Sequence, residues 1–168
     1  MNIKIRKARN VDKKTLAYIQ TESWKSAFTD IISAEDMERC TDIAKAEAMY
    51  ENVLKSDYAE ISILEIDSRA HCIAAWSKAR NPQFSDCAEL ICIHSFSENR
   101  GKGYGSLMMN HIIDEIKNSG YNSVLLWVFE KNTLARTFYE KHGFKLTDNT
   151  QLSYEAVEVM YRKQLCRD

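Results

Sequence analysis

The chain is poor in glycine and almost without proline: its 168 residues contain 5 Gly and 1 Pro. This composition excludes a collagen-like repeat, and no Pro-, Gly- or Ser-rich stretch marks a linker or a low-complexity segment. An excess of charge of one sign is also missing, because 23 Lys and Arg residues are balanced by 24 Asp and Glu residues. The balance disfavours non-specific binding to nucleic acid, so we expect no nucleic-acid partner.

Long apolar runs and metal-binding patterns are missing as well. No stretch approaches the roughly 20 apolar residues of a membrane-spanning helix, and the basic N-terminal segment leads into no apolar signal region. The 5 Cys are odd in number and form no C-x-x-C pair, and the 4 His never stand four residues apart. We therefore expect a cytoplasmic protein with reduced thiols, without a metal site and without a membrane partner.

Composition and periodicity predict the number of domains and the secondary structure of the chain. Hydrophobic residues make up 45% and charged residues 28%, which suits one folded domain over residues 1–168. The apolar pattern predicts strands over residues 2–8, 59–66, 71–79, 88–96, 123–129, 144–147 and 155–162. It predicts helices over residues 12–28, 33–54 (with a break near 40–42), 104–118 and 132–142. Antiparallel strands followed by one β-α-β crossover indicate an α/β sheet of mixed direction.

Glycine is concentrated in one place. Three of the 5 Gly lie within five positions of the segment SENRGKGYGS, residues 97–106, between a predicted strand and a predicted helix. The first N–H groups of a helix lack intrahelical partners and carry partial positive charge, and glycine lets a ligand approach the backbone closely. With Arg100 and Lys102 beside these donors, the segment predicts binding of a phosphate or pyrophosphate.

Two common nucleotide motifs do not account for this segment. A P-loop needs G-x-x-x-x-G-K-[ST], and no Lys-Ser or Lys-Thr pair follows here. The dinucleotide fingerprint G-x-G-x-x-G opens a β-α-β unit, whereas the spacing here is G-x-G-x-G and lies deep in the chain. A nucleotide-binding protein of another fold therefore stays open only as a weak alternative.

Three neighbouring motifs support one another. The hexapeptide RGKGYG, residues 100–105, has the form R/Q-x-x-G-x-G/A, and the strand AELICI at residues 88–93 precedes it. Downstream, NTLARTFYEKHGF at residues 132–144 has the form N-x-x-A-x-x-F/L-Y-x-x-x-G-F. Together these motifs resemble the glycine loop, the strand that enters it and the following helix of the GNAT superfamily of acetyl-CoA-dependent N-acetyltransferases. The order of elements from residue 2 to 162 also fits, so the resemblance covers nearly the whole chain.

The resemblance implies a mostly antiparallel sheet in which one central parallel pair is splayed to hold coenzyme A, with helices on both faces. Acetyl-CoA is then the co-substrate, its pyrophosphate lying on the loop and its pantetheine arm pairing with the backbone of the preceding strand. The cofactor-binding positions implied are Ile93, Ser95, Arg100, Gly101, Lys102, Gly103, Tyr104, Gly105, Ser106, Asn132, Ala135 and Tyr139. Ser95 replaces an apolar residue that is usual in the family, but this change removes no backbone amide.

Acetyl transfer to an amine needs a proton acceptor for the amine, donors for the oxyanion and a proton donor for the leaving thiolate. An alkylammonium group with a pKa of about 10 is mostly protonated at neutral pH, so a base is expected. Asn132, Ala135 and Tyr139 share one face of the predicted helix. In the family this face meets the cofactor, which makes Tyr139 the expected acid. A backbone N–H near Ile93 is the expected oxyanion donor.

The base is less well defined. The resemblance favours Glu89, acting through water, at the start of the strand that leads to the loop. His94 lies in the same strand and titrates near neutrality, but regular alternation puts it on the opposite face from Glu89. A β-bulge would reverse that parity, so His94 stays a weaker alternative.

The sequence defines the binding site for the acceptor amine less closely than the site for the cofactor. The resemblance implies that the first two helices wall the acceptor pocket, and Trp24 and Phe28, four residues apart, are the candidate substrate-binding side chains. The acceptor is a small-molecule or peptide amine whose identity the sequence leaves open, and homodimerisation is common in the family. We expect direct transfer in a ternary complex, because no residue is placed to activate Cys92. The alternative is a non-catalytic acyl-CoA-binding or sensor module of the same fold.

Overall fold

The computed structural model describes residues 2–165, which form a seven-stranded sheet and five α-helices. The strands are β1 (Ile3–Lys7), β2 (Glu60–Ile66), β3 (Arg69–Lys78), β4 (Ala88–Ser95), β5 (Ser123–Phe129), β6 (Lys145–Ser153) and β7 (Ala156–Gln164). The helices are α1 (Lys13–Phe28), α2 (Ala34–Cys40), α3 (Ile43–Ser56), α4 (Tyr104–Asn118) and α5 (Thr133–Lys141). The predicted helices are confirmed, including the break after Cys40; Cys166 lies outside the described residues.

Side-chain caps explain where several helices begin. Ser33 accepts a hydrogen bond from the Asp36 amide at 3.0 Å, as the S-x-x-D pattern predicts, and so starts α2. Asp42 accepts from the amides of residues 44 and 45 and restarts the chain as α3. Asn132 caps α5 through the Ala135 amide at 3.2 Å. Each cap satisfies backbone donors that would otherwise be left without a partner at a helix start.

The sheet order is β1-β2-β3-β4-β5-β7-β6, and every neighbouring pair is antiparallel except β4 with β5. That parallel pair is short, because its register holds only Ala88 opposite Val124 and Glu89 opposite Leu125. Helix α4 makes the crossover between the two strands, as parallel strands require. The predicted mixed α/β sheet with one central parallel pair is therefore confirmed.

Apolar layers cover both faces of the sheet. On one face α4 and α5 bury a stripe that includes Met108, Ile112 and Ile116, each with no exposed surface. On the other face α1 and α3 bury Leu16, Ile19 and Tyr50 against β2 and β3. Burial of each such large side chain contributes about 1.5–3 kcal/mol. The sheet is thus fixed from both sides, which holds the short β4–β5 junction in place.

Two strands differ from the sequence expectation. Strand β6 runs to Ser153 instead of ending at 147, with extra residues looped out between Leu146 and Thr150 where it pairs with β7. Strand β4 contains a bulge: Leu90 faces Trp76 and Cys92 faces Ala75, which leaves Ile91 without a partner on β3. The irregularity in β6 contains the turn residues Asp148 and Asn149, whereas the bulge in β4 has no turn residue that would announce it in the sequence.

Within residues 2–165 no helix combines the length and the apolar character needed to cross a bilayer. The same residues contain no cluster of three or more His, Cys, Asp or Glu side chains positioned to hold a metal ion.

Candidate active site

A gap opens between β4 and β5 immediately after their short parallel ladder. The last paired residues are Glu89 and Leu125, and over the described chain no strand pairs with the β5-facing edge of β4 beyond that point. Ile93 and Ser95 lie on this unpaired stretch, while β3 covers the opposite edge at Ala74 and Cys72. The backbone of β4 is therefore available to a ligand that lies in the gap, in the manner of an added strand.

The glycine loop lies at the open end of this gap. Gly101 and Gly103 have φ of +76° and +84°, a region that favours glycine, and a Cβ on either would meet no atom within 4 Å. Helix α4 begins directly afterwards at Tyr104, with Gly103 as its N-cap and no side-chain cap. Gly105 is the second residue of α4, and a Cβ there would touch the Phe138 ring at 3.4 Å. The loop combines uncapped helix donors with open space above the backbone.

Asn99 holds the glycine loop through side-chain contacts. It lies within the segment 97–106, but the sequence pattern predicts no separate role for it. It is 5% exposed, its Nδ2 lies 3.0 Å from Nδ1 of His71, and its Oδ1 accepts from Lys102 Nζ at 3.5 Å. The guanidinium of Arg100 points elsewhere and donates to Ser26 Oγ on α1 at 2.8 Å. Of the two cations, Lys102 is therefore held over the loop, while Arg100 links the loop to α1.

Tyr139 is buried on α5, as its place in the motif suggests. It is 8% exposed and its ring packs on Phe138 and Phe144. Burial, with smaller effects of the thiols of Cys92 and Cys72, raises the pKa of Tyr139 well above its ordinary value. Tyr139 belongs to the same buried cluster as Cys72 of β3 and Leu90 of β4. The hydroxyl is thus held in its protonated, proton-donating form.

Glu89 lies at the apex of the gap and is almost fully buried, with 2% of its surface exposed. Arg80, in the β3–β4 connection, supplies all the hydrogen bonds found for its carboxylate among residues 2–165. Its Nη2 and Nε donate to Oε1 at 2.5 and 3.0 Å, and its backbone N–H donates to Oε2 at 2.9 Å. Arg80 was not singled out from the sequence, because an isolated Arg beside a turn carries no pattern.

The bulge in β4 places His94 on the same face as Glu89. Glu89 pairs with Ser77 and His94 with Ile73, two β3 positions four residues apart on one face. The parity expected from regular alternation is therefore wrong, and the unpaired Ile91 is the physical reason. Burial lowers the pKa of His94 to about 4, so its imidazole is neutral near pH 7. Such a weakly basic group is a poor proton acceptor at that pH.

The part of the chain that the structure describes, residues 2–165, holds Cys92 as a protonated thiol. Burial raises the pKa of its thiol to about 12, although Arg80 lies near enough to oppose the shift slightly. A thiol in this state is not nucleophilic, because the thiolate is the reactive form.

An aromatic cluster occupies the end of α1. Trp24 and Phe28 are in edge contact at 5.0 Å between ring centroids, and they meet Phe129 of β5 and Tyr154 of the β6–β7 turn at 5.1 and 5.8 Å. Tyr154 has a φ of +51°, an unusual conformation for an aromatic residue. The indole Nε1 of Trp24 is buried and finds no hydrogen-bond partner among residues 2–165. The two predicted acceptor-side residues thus belong to one cluster near the carboxyl end of β5.

This fold and loop define a class of enzyme. The profile described as the acetyltransferase (GNAT) family matches residues 21–144, about three quarters of the chain. The chain belongs to the GNAT acetyltransferase family, as its motifs indicate. It is accordingly an N-acetyltransferase, and acetyl-CoA is the acyl donor of its reaction.

Individual relatives agree with this assignment. The chain is 26% identical over 149 residues to the spermidine N(1)-acetyltransferase of Thermoplasma acidophilum, covering 88% of this chain and 91% of that protein. An amino-acid acetyltransferase of Neisseria meningitidis is 26% identical over 99 residues, which are 59% of this chain and 21% of that protein.

Solved structures show the same fold at lower identity. The PaiA N-acetyltransferase of Thermoplasma acidophilum in complex with coenzyme A superposes with a TM-score of 0.83 at 23% identity, covering 98% of this chain and 99% of that one. YncA, a putative acetyltransferase of Salmonella typhimurium solved with acetyl-CoA, gives a TM-score of 0.75 at 17% identity, covering 100% and 96%.

Proposed function

We propose that the protein transfers the acetyl group of acetyl-CoA directly to a primary amine within a ternary complex. The observation that carries the proposal is the gap after the Glu89–Leu125 pair, which has the glycine loop at one end and a buried carboxylate at its apex. Tyr139 on α5 and the unpaired backbone of β4 belong to the same region. Together they offer a place for a long, phosphate-bearing thioester and groups for its chemistry.

The residues present fit coenzyme A. Helix α4 begins at Tyr104 without a side-chain cap, so the amides of residues 104–106 suit a pyrophosphate, and Lys102 in the preceding loop adds a cation beside them. The backbone of Ile93 and Ser95 would pair with the amides of the pantetheine arm, and Asn132 and Ala135 would flank it from α5. When bound, acetyl-CoA supplies an electrophilic thioester carbon.

The chemical step uses Glu89 and Tyr139 as base and acid. Glu89, through a water, accepts one proton from the acceptor ammonium, and the freed nitrogen forms a bond to the thioester carbon. A backbone N–H near Ile93 donates to the carbonyl oxygen as its negative charge develops. The carbon–sulfur bond breaks while Tyr139 donates its proton to the departing sulfur. A second proton from the nitrogen restores Tyr139 through solvent, and Glu89 releases the first one.

Direct transfer is favoured over an acyl-enzyme route by the state of Cys92. Its thiol lies on β4 but is protonated near pH 7, because burial raises its pKa to about 12. A cysteine nucleophile would need an adjacent base or cation to form the thiolate. Among residues 2–165 the cation that acts on it is Arg80, which is already bound to Glu89.

We place the acceptor beside Trp24 and Phe28 and propose a polyamine as its first candidate. The support is the similarity to a spermidine acetyltransferase over most of both chains. Aromatic faces attract ammonium groups and also accommodate the methylene segments between them. An amino acid is the second candidate, because the Nε1 of Trp24 is a buried donor without a partner and would suit an acceptor that carries an oxygen.

A panel of amines tests this proposal. The purified protein is mixed with acetyl-CoA and spermidine, putrescine, free amino acids or a short peptide, and release of free thiol is followed. We expect the highest kcat/KM with a polyamine, and Trp24→Ala and Phe28→Ala to raise the KM for the acceptor more than that for acetyl-CoA. Binding of coenzyme A without thiol release from any amine would instead support the sensor alternative.

Homodimer formation and residence in the cytoplasm stay predictions. Sedimentation velocity over a range of protein concentrations checks the first, and fractionation of cells that express the protein checks the second.

A further inference from the structure

The two side chains of the Arg80–Glu89 ion pair, at the apex of the gap, differ in their exposure to solvent. The Glu89 side chain is 3% exposed, whereas 49% of the Arg80 side chain remains accessible. The guanidinium therefore lies on the solvent side of a carboxylate that is otherwise enclosed by the sheet. A buried carboxylate that lost this partner would stay ionised only at a large cost in solvation.

The two carboxylate oxygens are used unevenly. Oε1 accepts two hydrogen bonds from the guanidinium, which fills both of its lone pairs. Oε2 accepts one hydrogen bond, from the Arg80 backbone N–H, and so retains one unused lone pair. Only one oxygen can therefore take a further proton or water hydrogen bond while the pair stays intact.

We propose that Arg80 is a positioning residue for acetyl transfer: it keeps the Glu89 carboxylate ionised at the apex of the β4–β5 gap and directs proton uptake to Oε2. This inference rests on the proposed function, in which Glu89 is the base. Arg80 itself donates no proton to the substrate. Its side chain fixes the charge of Glu89, while its main chain orients the reactive oxygen.

The other titratable groups around Glu89 do not supply the positive charge that Arg80 supplies. Cys92 and His94 on β4 are both neutral near pH 7 and supply no positive charge. Glu158 of β7 and Tyr58 before β2 act on Arg80 and favour its cationic form. Across β5, the residue opposite Glu89 is the apolar Leu125. The guanidinium is thus the cation that balances this carboxylate.

The test compares pH–rate profiles of Arg80→Gln, Arg80→Lys and the wild type with the same amine. Dividing each variant rate by the wild-type rate at every pH cancels the ionisation of the acceptor. In Arg80→Gln the acidic limb of kcat/KM should move to higher pH by about one unit or more, because an unpaired buried carboxylate ionises less readily. Arg80→Lys, which keeps the charge, should move it less. Arg69→Gln, an exposed arginine at the far end of β3, is the matched control and should leave the limb in place.

Urea unfolding at pH 5 and pH 8 supplies a readout that does not depend on activity. Arg80→Gln should lose more stability at pH 8 than at pH 5, because the unfolded chain releases the Glu89 proton above about pH 4.3 while the folded variant retains it to higher pH, so the loss grows with pH. The double variant Arg80→Gln/Glu89→Gln should lose this difference. An active Arg80→Gln enzyme with an unmoved acidic limb, or an equal loss of stability at both pH values, would overturn the inference. Failure of the wild type to acetylate any amine would instead contradict the proposed function, and the unfolding comparison would still test the ion pair.

Discussion

Burial keeps most titratable side chains near the gap in their neutral forms. It raises the pKa of Tyr139 and Cys92 and lowers that of His94 to about 4, so none of the three carries charge near pH 7. The charge that remains at the apex is the pair of Glu89 with Arg80. A neutral phenol and an anionic carboxylate are the two protonation states that a proton donor and a proton acceptor require.

The first prediction at the scale of single residues concerns Tyr139. Tyr139→Phe removes the hydroxyl and keeps the ring packing on Phe138 and Phe144. If Tyr139 is the acid, kcat should fall about 100-fold while the KM for acetyl-CoA changes little, because general acid catalysis contributes at least that much. Steady-state kinetics measure both values. Tyr121→Phe changes a partly buried tyrosine packed on the same core and is the control. Unchanged turnover in Tyr139→Phe would remove it as the acid.

The second residue-scale prediction is a pH dependence of stability caused by His94. Its pKa is about 4 in the folded chain and about 6.5 in the unfolded chain. As the pH falls, the unfolded chain binds a proton at His94 before the folded chain does. The stability that neutral His94 contributes to the fold is therefore fully present above about pH 6.5 and is lost as the pH falls toward 4. The loss should amount to about 1–3 kcal/mol. Urea unfolding between pH 7.5 and 4 measures it, and His94→Gln should flatten the curve. Parallel curves for wild type and variant would show that His94 is not held neutral.

At the scale of elements, β4 and the start of α4 form one unit. The strand ends its parallel pairing at Glu89, bulges at Ile91, and leads through the glycine loop into α4. The bounds of α4 were predictable because the stripe of Met108, Ile112 and Ile116 is strongly periodic and Gly120 marks its end. The bulge was not predictable, because it depends on the register with β3 and involves an ordinary isoleucine.

The prediction at the scale of elements concerns the glycine loop and its binding of acetyl-CoA. Gly103→Ala and Gly120→Ala impose the same backbone strain, since both glycines have φ near +90° and neither has an atom within 4 Å of an added Cβ. Each should lose about 1–2 kcal/mol of stability, measured by urea unfolding. Only Gly103→Ala should also raise the KM for acetyl-CoA, because its Cβ would stand over the amides at the start of α4. An equal effect of both variants on this KM would mean that the loop does not hold the phosphates.

At the scale of the whole molecule, the site depends on contacts between segments far apart in sequence. Motifs predicted the family, the loop, Tyr139 and Glu89, because each is carried by local spacing. The partners Arg80, Phe129 and Tyr154 come from three separate connections or strand ends, and only the folded sheet brings them to the predicted residues. The full length of β6 was missed for a related reason: its polar sequence acquires strand pairing only from β7.

The last prediction concerns how ligand binding is distributed over the molecule. Among residues 2–165 no strand pairs with the β5-facing edge of β4 over residues 90–95, and the segment 100–106 ends in the uncapped helix donors at the start of α4. Bound coenzyme A should slow short-time hydrogen exchange in these two segments. The β6–β7 hairpin, which β5 separates from β4, should change little at short times. Global stabilisation by the ligand affects only amides that exchange through complete unfolding, so it appears at long times and not in this comparison.

ATP, which carries phosphates but no pantetheine arm, is the control and should protect at most residues 100–106. Protection confined to the hairpin, or equal protection of residues 90–95 by ATP, would contradict a cofactor lying along β4.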